Sequence, residues 1–223
     1  MDLDWMLSHL DDLASRALQH VGLTLVALLF GFAISFGLAV VAVRHRTTYG
    51  PIIGISDLLY VIPSLAFFAA LIPITGISFL TVEIPLVLYT LLILVRNLAD
   101  GFDAVPSEVL EAADGMGYSR RERLRRIEIP LAVPFAMAGL RLACISTIGL
   151  VTVSAVLGDR FGGFGFFILE GYSRSFPTEI YFGALPSILL ALAADTLLIR
   201  IQRRLTPWSR RASAGGPEEP RWT

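Results

Sequence analysis

Charged side chains disappear from this chain for long stretches and then return in bunches. Positions 21–43 carry none. Four further apolar runs follow, at about 52–71, 77–95, 134–157 and 180–199. The second contains Asp57 and Pro63, the third Glu83 and Pro85, the fourth Arg141 and the fifth Asp195. A helix needs about 20 apolar residues to cross the hydrocarbon core of a bilayer. Helices are the open-chain way to satisfy backbone hydrogen bonds in lipid. The pattern therefore predicts an all-α membrane protein with five transmembrane helices.

Arginine placement orients them. Short loops on the cytoplasmic side carry the basic excess. Arg44 and Arg46 follow the first run, Arg96 and Arg120 to Arg126 lie between the third and fourth, and Arg200 to Arg221 lie after the fifth. The other side holds only Arg16, Arg160 and Arg174. The expectation is an N-terminus outside and a C-terminus inside. Residues 1–20 form an extracytoplasmic segment too acidic for a signal peptide, 21–208 the membrane domain, and 209–223 a disordered cytoplasmic tail poor in apolar residues.

Composition agrees. The 223 residues are 55% hydrophobic and 17% charged, against about a quarter charged in a soluble domain. Cys144 is the single cysteine, which excludes a disulfide framework and a cysteine metal site. His9, His20 and His45 lie outside the runs at no ligand spacing and read as surface residues. No nucleophile–base pair stands out, so no enzyme activity, cofactor, metal or nucleic-acid partner is expected. The glycine run Gly158 to Gly165 lacks the lysine of a phosphate loop and reads as a turn. Small residues at helical spacing (Gly31, Ser35, Ala39; Ala136, Gly139, Ala143) suit close helix packing.

The loop at 96–133 is too structured for a connector. Pro106, Ser107 and Glu108 suit a first helical turn. Val109, Ala112, Ala113 and Met116 then share one face, and Gly115 and Gly117 stop the helix. Ser119 and Glu122 fit a capping box opening a second helix, which Pro130 is expected to end before Pro134 opens the fourth span. The residues alone leave two readings: a docking element for another protein, or an amphipathic loop on the lipid surface.

The spacing here also resembles the EAA signature of ATP-binding-cassette (ABC) importer permeases. Glu111-Ala112-Ala113, Gly117 and Ile127-x-Ile129-Pro130 match it, with Ile129 in place of leucine. The resemblance implies that this loop is the coupling element seated on a cytoplasmic ATPase dimer. It further implies an extracytoplasmic solute-binding protein, a second permease subunit, and residence in the cytoplasmic membrane of a prokaryote. Ile62 to Ala66, Arg96-Asn97, Ala138 to Arg141, Asp195 and Leu205 to Trp208 look like the osmoprotectant branch, which imports glycine betaine, choline, carnitine or proline betaine. The alternatives are an amino-acid branch of the same importers, or a secondary carrier or channel. Gly158 to Gly165 is longer and more charged than that branch's usual glycine stretch.

At about 1.5 Å per residue, Asp57, Arg141 and Asp195 fall in one layer near the inner face. Two readings follow: each charge snorkels separately to the inner interface, or Arg141 forms an ion pair with Asp195 or with Asp57.

Overall fold

The computed structural model describes residues 2–207. The expected disordered tail at 209–223 lies outside the described residues. Ten α-helices occur among them: α1 (Leu3–Ser8), α2 (Leu10–Arg44), α3 (Arg46–Val61), α4 (Ser64–Thr75), α5 (Phe79–Asp103), α6 (Ser107–Gly115), α7 (Arg120–Arg123), α8 (Ile129–Val153), α9 (Gly165–Ser173) and α10 (Pro177–Leu205). Among the described residues four helical stretches are long and apolar enough to cross a membrane: α2, α5, the continuous helix Arg120–Leu157, and α10. The pair α3 and α4 passes the same test together, but is bent by 94° at its break.

That break puts a bend, not expected from the sequence, into the second span predicted at 52–71. Pro63 has no N–H for the carbonyl of Leu59, and its ring disfavours a helical conformation at the residue before it. Ile62 accordingly lies at φ −61°, ψ 124°. The first span is also longer than expected, because α2 begins at Leu10 with Asp11 and Asp12 in its first turn, where carboxylates meet the positive end of the helix dipole.

A second correction concerns the entry to the fourth span. Pro130 does not end the loop helix and Pro134 does not open the span. Helix runs without interruption from α7 into α8, through a π turn at Leu124–Glu128. The amide of Ile129 donates to the carbonyl of Leu124, five residues back. This wider turn absorbs the amide missing at Pro130, which sits in the first turn of α8.

Helix α5 is the centre of the bundle, with Val82, Leu86, Leu94, Val95, Leu98 and Ala99 buried. Helices α2 and α8 flank it, and α10 lies on the far side of α8. Lipid tails are as apolar as leucine, so close fit rather than water exclusion holds such helices together. Two glycines show that fit. A Cβ on Gly31 of α2 would collide with Oγ1 of Thr90, and one on Gly139 of α8 would lie 2.6 Å from Cβ of Asn97.

His20 is not a surface residue. It is fully buried in α2. The amide of Phe164 donates to its Nδ1 (3.3 Å), and its Nε2 lies 3.1 Å from the carbonyl oxygen of Ile148. Nδ1 therefore accepts, and Nε2 carries the proton and donates. The Gly158 to Gly165 turn is pinned to the same helix. The side chains of Arg16 and Gln19 donate to the carbonyls of Asp159 and Arg160, and the amide of Gly163 donates to Oε1 of Gln19 at 2.8 Å.

Candidate functional site: the loop at 107–130 and the paired charges

Helix α6 follows Pro106 and ends in a Schellman motif. The amide of Gly117 donates to the carbonyl of Asp114 (3.0 Å) and that of Tyr118 to the carbonyl of Ala113 (3.1 Å). Gly117 sits at φ +80°, the left-handed position this motif requires and glycine fills without strain. Ser119 then caps the next helix. Its amide donates to Oε2 of Glu122 at 3.0 Å, and its Oγ accepts from the amide of Glu122 at 3.4 Å.

Arg123 ties the two halves together, donating to Asp114 at 2.7 Å and to Glu128 at 3.0 Å. The loop is thus held in shape by its own capping and charge pairs. Its expected apolar face has no cover among the described residues: Val109 is 38% and Met116 67% exposed, and of that face only Ala113 is buried. Glu111, Ala112 and Gly117 are exposed, while Ile127, Ile129 and Pro130 are half-buried where the helix meets the bundle.

Away from this loop, ion pairs among the described residues join neighbouring helices. Arg141 of α8 meets Asp195 of α10 through two contacts, Nε to Oδ1 at 2.7 Å and Nη2 to Oδ2 at 3.1 Å. Asp57 is not brought to Arg141. It accepts from Arg96 of α5 at 2.8 and 3.0 Å. Arg46 and Asp103 make a third pair at 2.6 and 2.7 Å. The sequence had placed Arg96 in a loop, because the apolar run ends at Val95. Helix α5 in fact continues to Asp103, which carries Arg96 to within reach of Asp57.

The model of the family described as "binding-protein-dependent transport system inner membrane component" matches residues 23–211. The chain belongs to that family. Its membership makes it the permease subunit of an ABC importer and not the ATPase, with an ATPase and a solute-binding protein as partners. Among curated members of the binding-protein-dependent permeases, the osmoprotectant import permease protein OsmW of Salmonella typhimurium is 40% identical over 212 residues, covering 92% of this chain and 97% of that protein. The choline transport system permease protein OpuBB of Bacillus subtilis is 34% identical, covering 88% of this chain and 89% of its own. The fold is that of a solved chain in the inward-facing MetNI methionine ABC transporter, with a TM-score of 0.76 at 19% identity over 87% of this chain and 96% of that one.

Proposed function

We propose that this chain carries a small quaternary-ammonium osmoprotectant such as choline, carnitine or glycine betaine. It would do so as one of two permease subunits above a pair of ATPases. The observation that carries the substrate class is the 40% identity to an osmoprotectant import permease over nearly the whole of both chains. The relatives from Bacillus subtilis named for choline, carnitine and glycine betaine support it.

The loop Glu111 to Pro130 is proposed as the seat of the ATPase. The uncovered Val109–Met116 face and the self-contained shape of α6 and α7 support that role, because a preorganised element gives up little entropy on docking. ATP-driven closure of the ATPase pair would shift the bundle between inward-open and outward-open states. It can do so only through a differential affinity for the two, and this loop supplies the contact. The N-terminus is placed outside and the loop inside, following the arginine distribution. Arg141, Asp195, Asp57 and Arg96 are proposed to hold the inner half of the bundle together during that change.

The test is uptake by proteoliposomes containing the permease, its ATPase and its binding protein. ATP-dependent accumulation of choline, carnitine or glycine betaine is expected. Uptake of none of these would overturn the substrate class. Transport that persists without the ATPase would overturn the coupling.

A further inference from the structure

A cavity of about 450 Å³ opens where α3 breaks from α4, within the size range of small-molecule sites (about 300–1,000 Å³). The break, α5 and α8 form its walls. Tyr89 is its buried floor at 6% exposure, and Tyr60 stands at its open side at 44%. The two rings meet edge to face, with centroids 5.9 Å apart and planes at 80°. Phe67 packs against Tyr89 from another direction, at 6.0 Å and 73°. The phenol of Tyr89 donates to the carbonyl of Ile62, the residue at the break. That bond fixes the ring's orientation and occupies its only donor, so the ring can meet a ligand only through its π system or the lone pairs of its oxygen.

The rest of the lining is uncharged. Ser64, Thr90, Ser146 and Thr147 contribute hydroxyls, and the remaining wall is aliphatic backbone and side chain. Among the described residues no arginine or carboxylate lines the cavity, and Asp57, one turn below Tyr60, is held by Arg96. An inorganic anion or a compact metal cation would find no counter-charge. Backbone polarity alone does not choose a sign, because the carbonyl end of α3 and the amide end of α4 meet at the same break. The tyrosine rings do choose. Aromatic faces attract a cation within about 6 Å of the ring centroid, and most favourably one that sheds its water easily. A methylated ammonium, large and weakly hydrated, meets both conditions.

We infer that Tyr60 and Tyr89 form a low-affinity quaternary-ammonium subsite inside the permease, at the broken helix. The choice of ligand rests on the substrate class proposed above. The subsite would hold the solute after it leaves the binding protein, and the uncharged lining would let it go.

The probe is choline, set against its uncharged isostere 3,3-dimethylbutan-1-ol. A Ser146→Cys reporter in a Cys144→Ala background is labelled with N-ethylmaleimide. The permease is assembled with its ATPase in nanodiscs, without binding protein and at matched ionic strength. Choline should protect Cys at this position saturably, and the isostere should not. Tyr60→Leu and Tyr89→Leu should each weaken protection by about tenfold, whereas Tyr89→Phe, which keeps the ring, should retain it. Tyr60 is exposed enough that its replacement leaves folding intact, so the result does not depend on the buried Tyr89. Absence of protection, equal protection by the isostere, or an unchanged Tyr60→Leu would overturn the subsite. Choline uptake by the complete transporter separates the two claims. Uptake without protection overturns the subsite alone, and protection without uptake overturns the substrate class alone.

Discussion

Arg141 and Asp195 face each other across α8 and α10 with both guanidinium–carboxylate contacts made, at 2.7 and 3.1 Å. Their side chains are 32% and 24% exposed, so the pair is neither a surface pair nor a fully buried one. Removing one partner leaves a charge half out of water. Arg141→Ala should lower the melting temperature of the detergent-solubilised protein, and adding Asp195→Asn should recover part of the loss. The coupling should be about 0.5–3 kcal/mol. Asp57→Asn should show no coupling to Arg141→Ala, and should couple instead to Arg96→Ala.

Gly117→Asp places a side chain at φ +80°, a conformation that costs an L-residue about 1–2 kcal/mol, and adds a charge on the exposed loop. Membrane insertion should be unaffected, because the substitution lies outside the bundle. Uptake should fall to background, with the ATPase either dissociated or hydrolysing without transport. Normal uptake in vesicles would make this loop an ordinary connector.

Single cysteines in a Cys144→Ala background test the orientation. Thr75→Cys and Arg174→Cys should react with a membrane-impermeant maleimide in intact cells, and Thr47→Cys and Ser119→Cys only after lysis. Labelling at position 119 from outside would overturn both the orientation and the coupling role.

His20→Leu strands the amide of Phe164 in a buried site and removes the side-chain contact to the carbonyl of Ile148 in α8. An unsatisfied buried polar group costs about 1–3 kcal/mol, so a clear drop in thermal stability is expected. The loss should fall on the Gly158 to Gly165 turn, read as faster proteolysis there. An unchanged melting curve would mean that His20 holds nothing in place.

Gly139→Val puts a branched side chain where even a single Cβ would sit 2.6 Å from Asn97. Overpacking of this kind costs about 1–3 kcal/mol. Yield of folded protein after extraction should fall, whereas Gly149→Ala, whose Cβ would meet nothing within 4 Å, should be tolerated.

The features that were legible in the sequence are those whose chemistry is local. Gly117 needs only its own φ, and Ser119 and Glu122 satisfy each other three residues apart, so the loop could be drawn before any tertiary contact was known. The Arg141–Asp195 partnership could be narrowed by depth alone, because helical rise is fixed. Proline was the ambiguous signal. Pro51, Pro73, Pro85, Pro134 and Pro186 all lie inside helices, while Pro63 breaks one. Neighbouring helices can re-satisfy the freed backbone groups in a membrane, so which proline yields is decided by packing that the sequence does not display. The partners of Asp57 and His20 were hidden for a related reason: helix α5 outruns its apolar stretch, and His20 lies outside the uncharged run yet inside the helix.

The unbroken helix from Arg120 through the π turn into α8 has a mechanical meaning. A break in the helix at Pro130 would have acted as a joint, letting the loop swing while the span stayed still. Without one the helix is a lever, and its tight crossing with α5 at Gly139 is the natural fulcrum. At 1.5 Å per residue the outer arm from Arg120 is roughly 28 Å and the inner arm to Ser146 roughly 10 Å. A stroke delivered at the Arg120 end would therefore arrive at the cavity wall reduced to about a third and multiplied in force. Broad travel at the loop would become a small, firm displacement of the α8 wall of the cavity at Ser146.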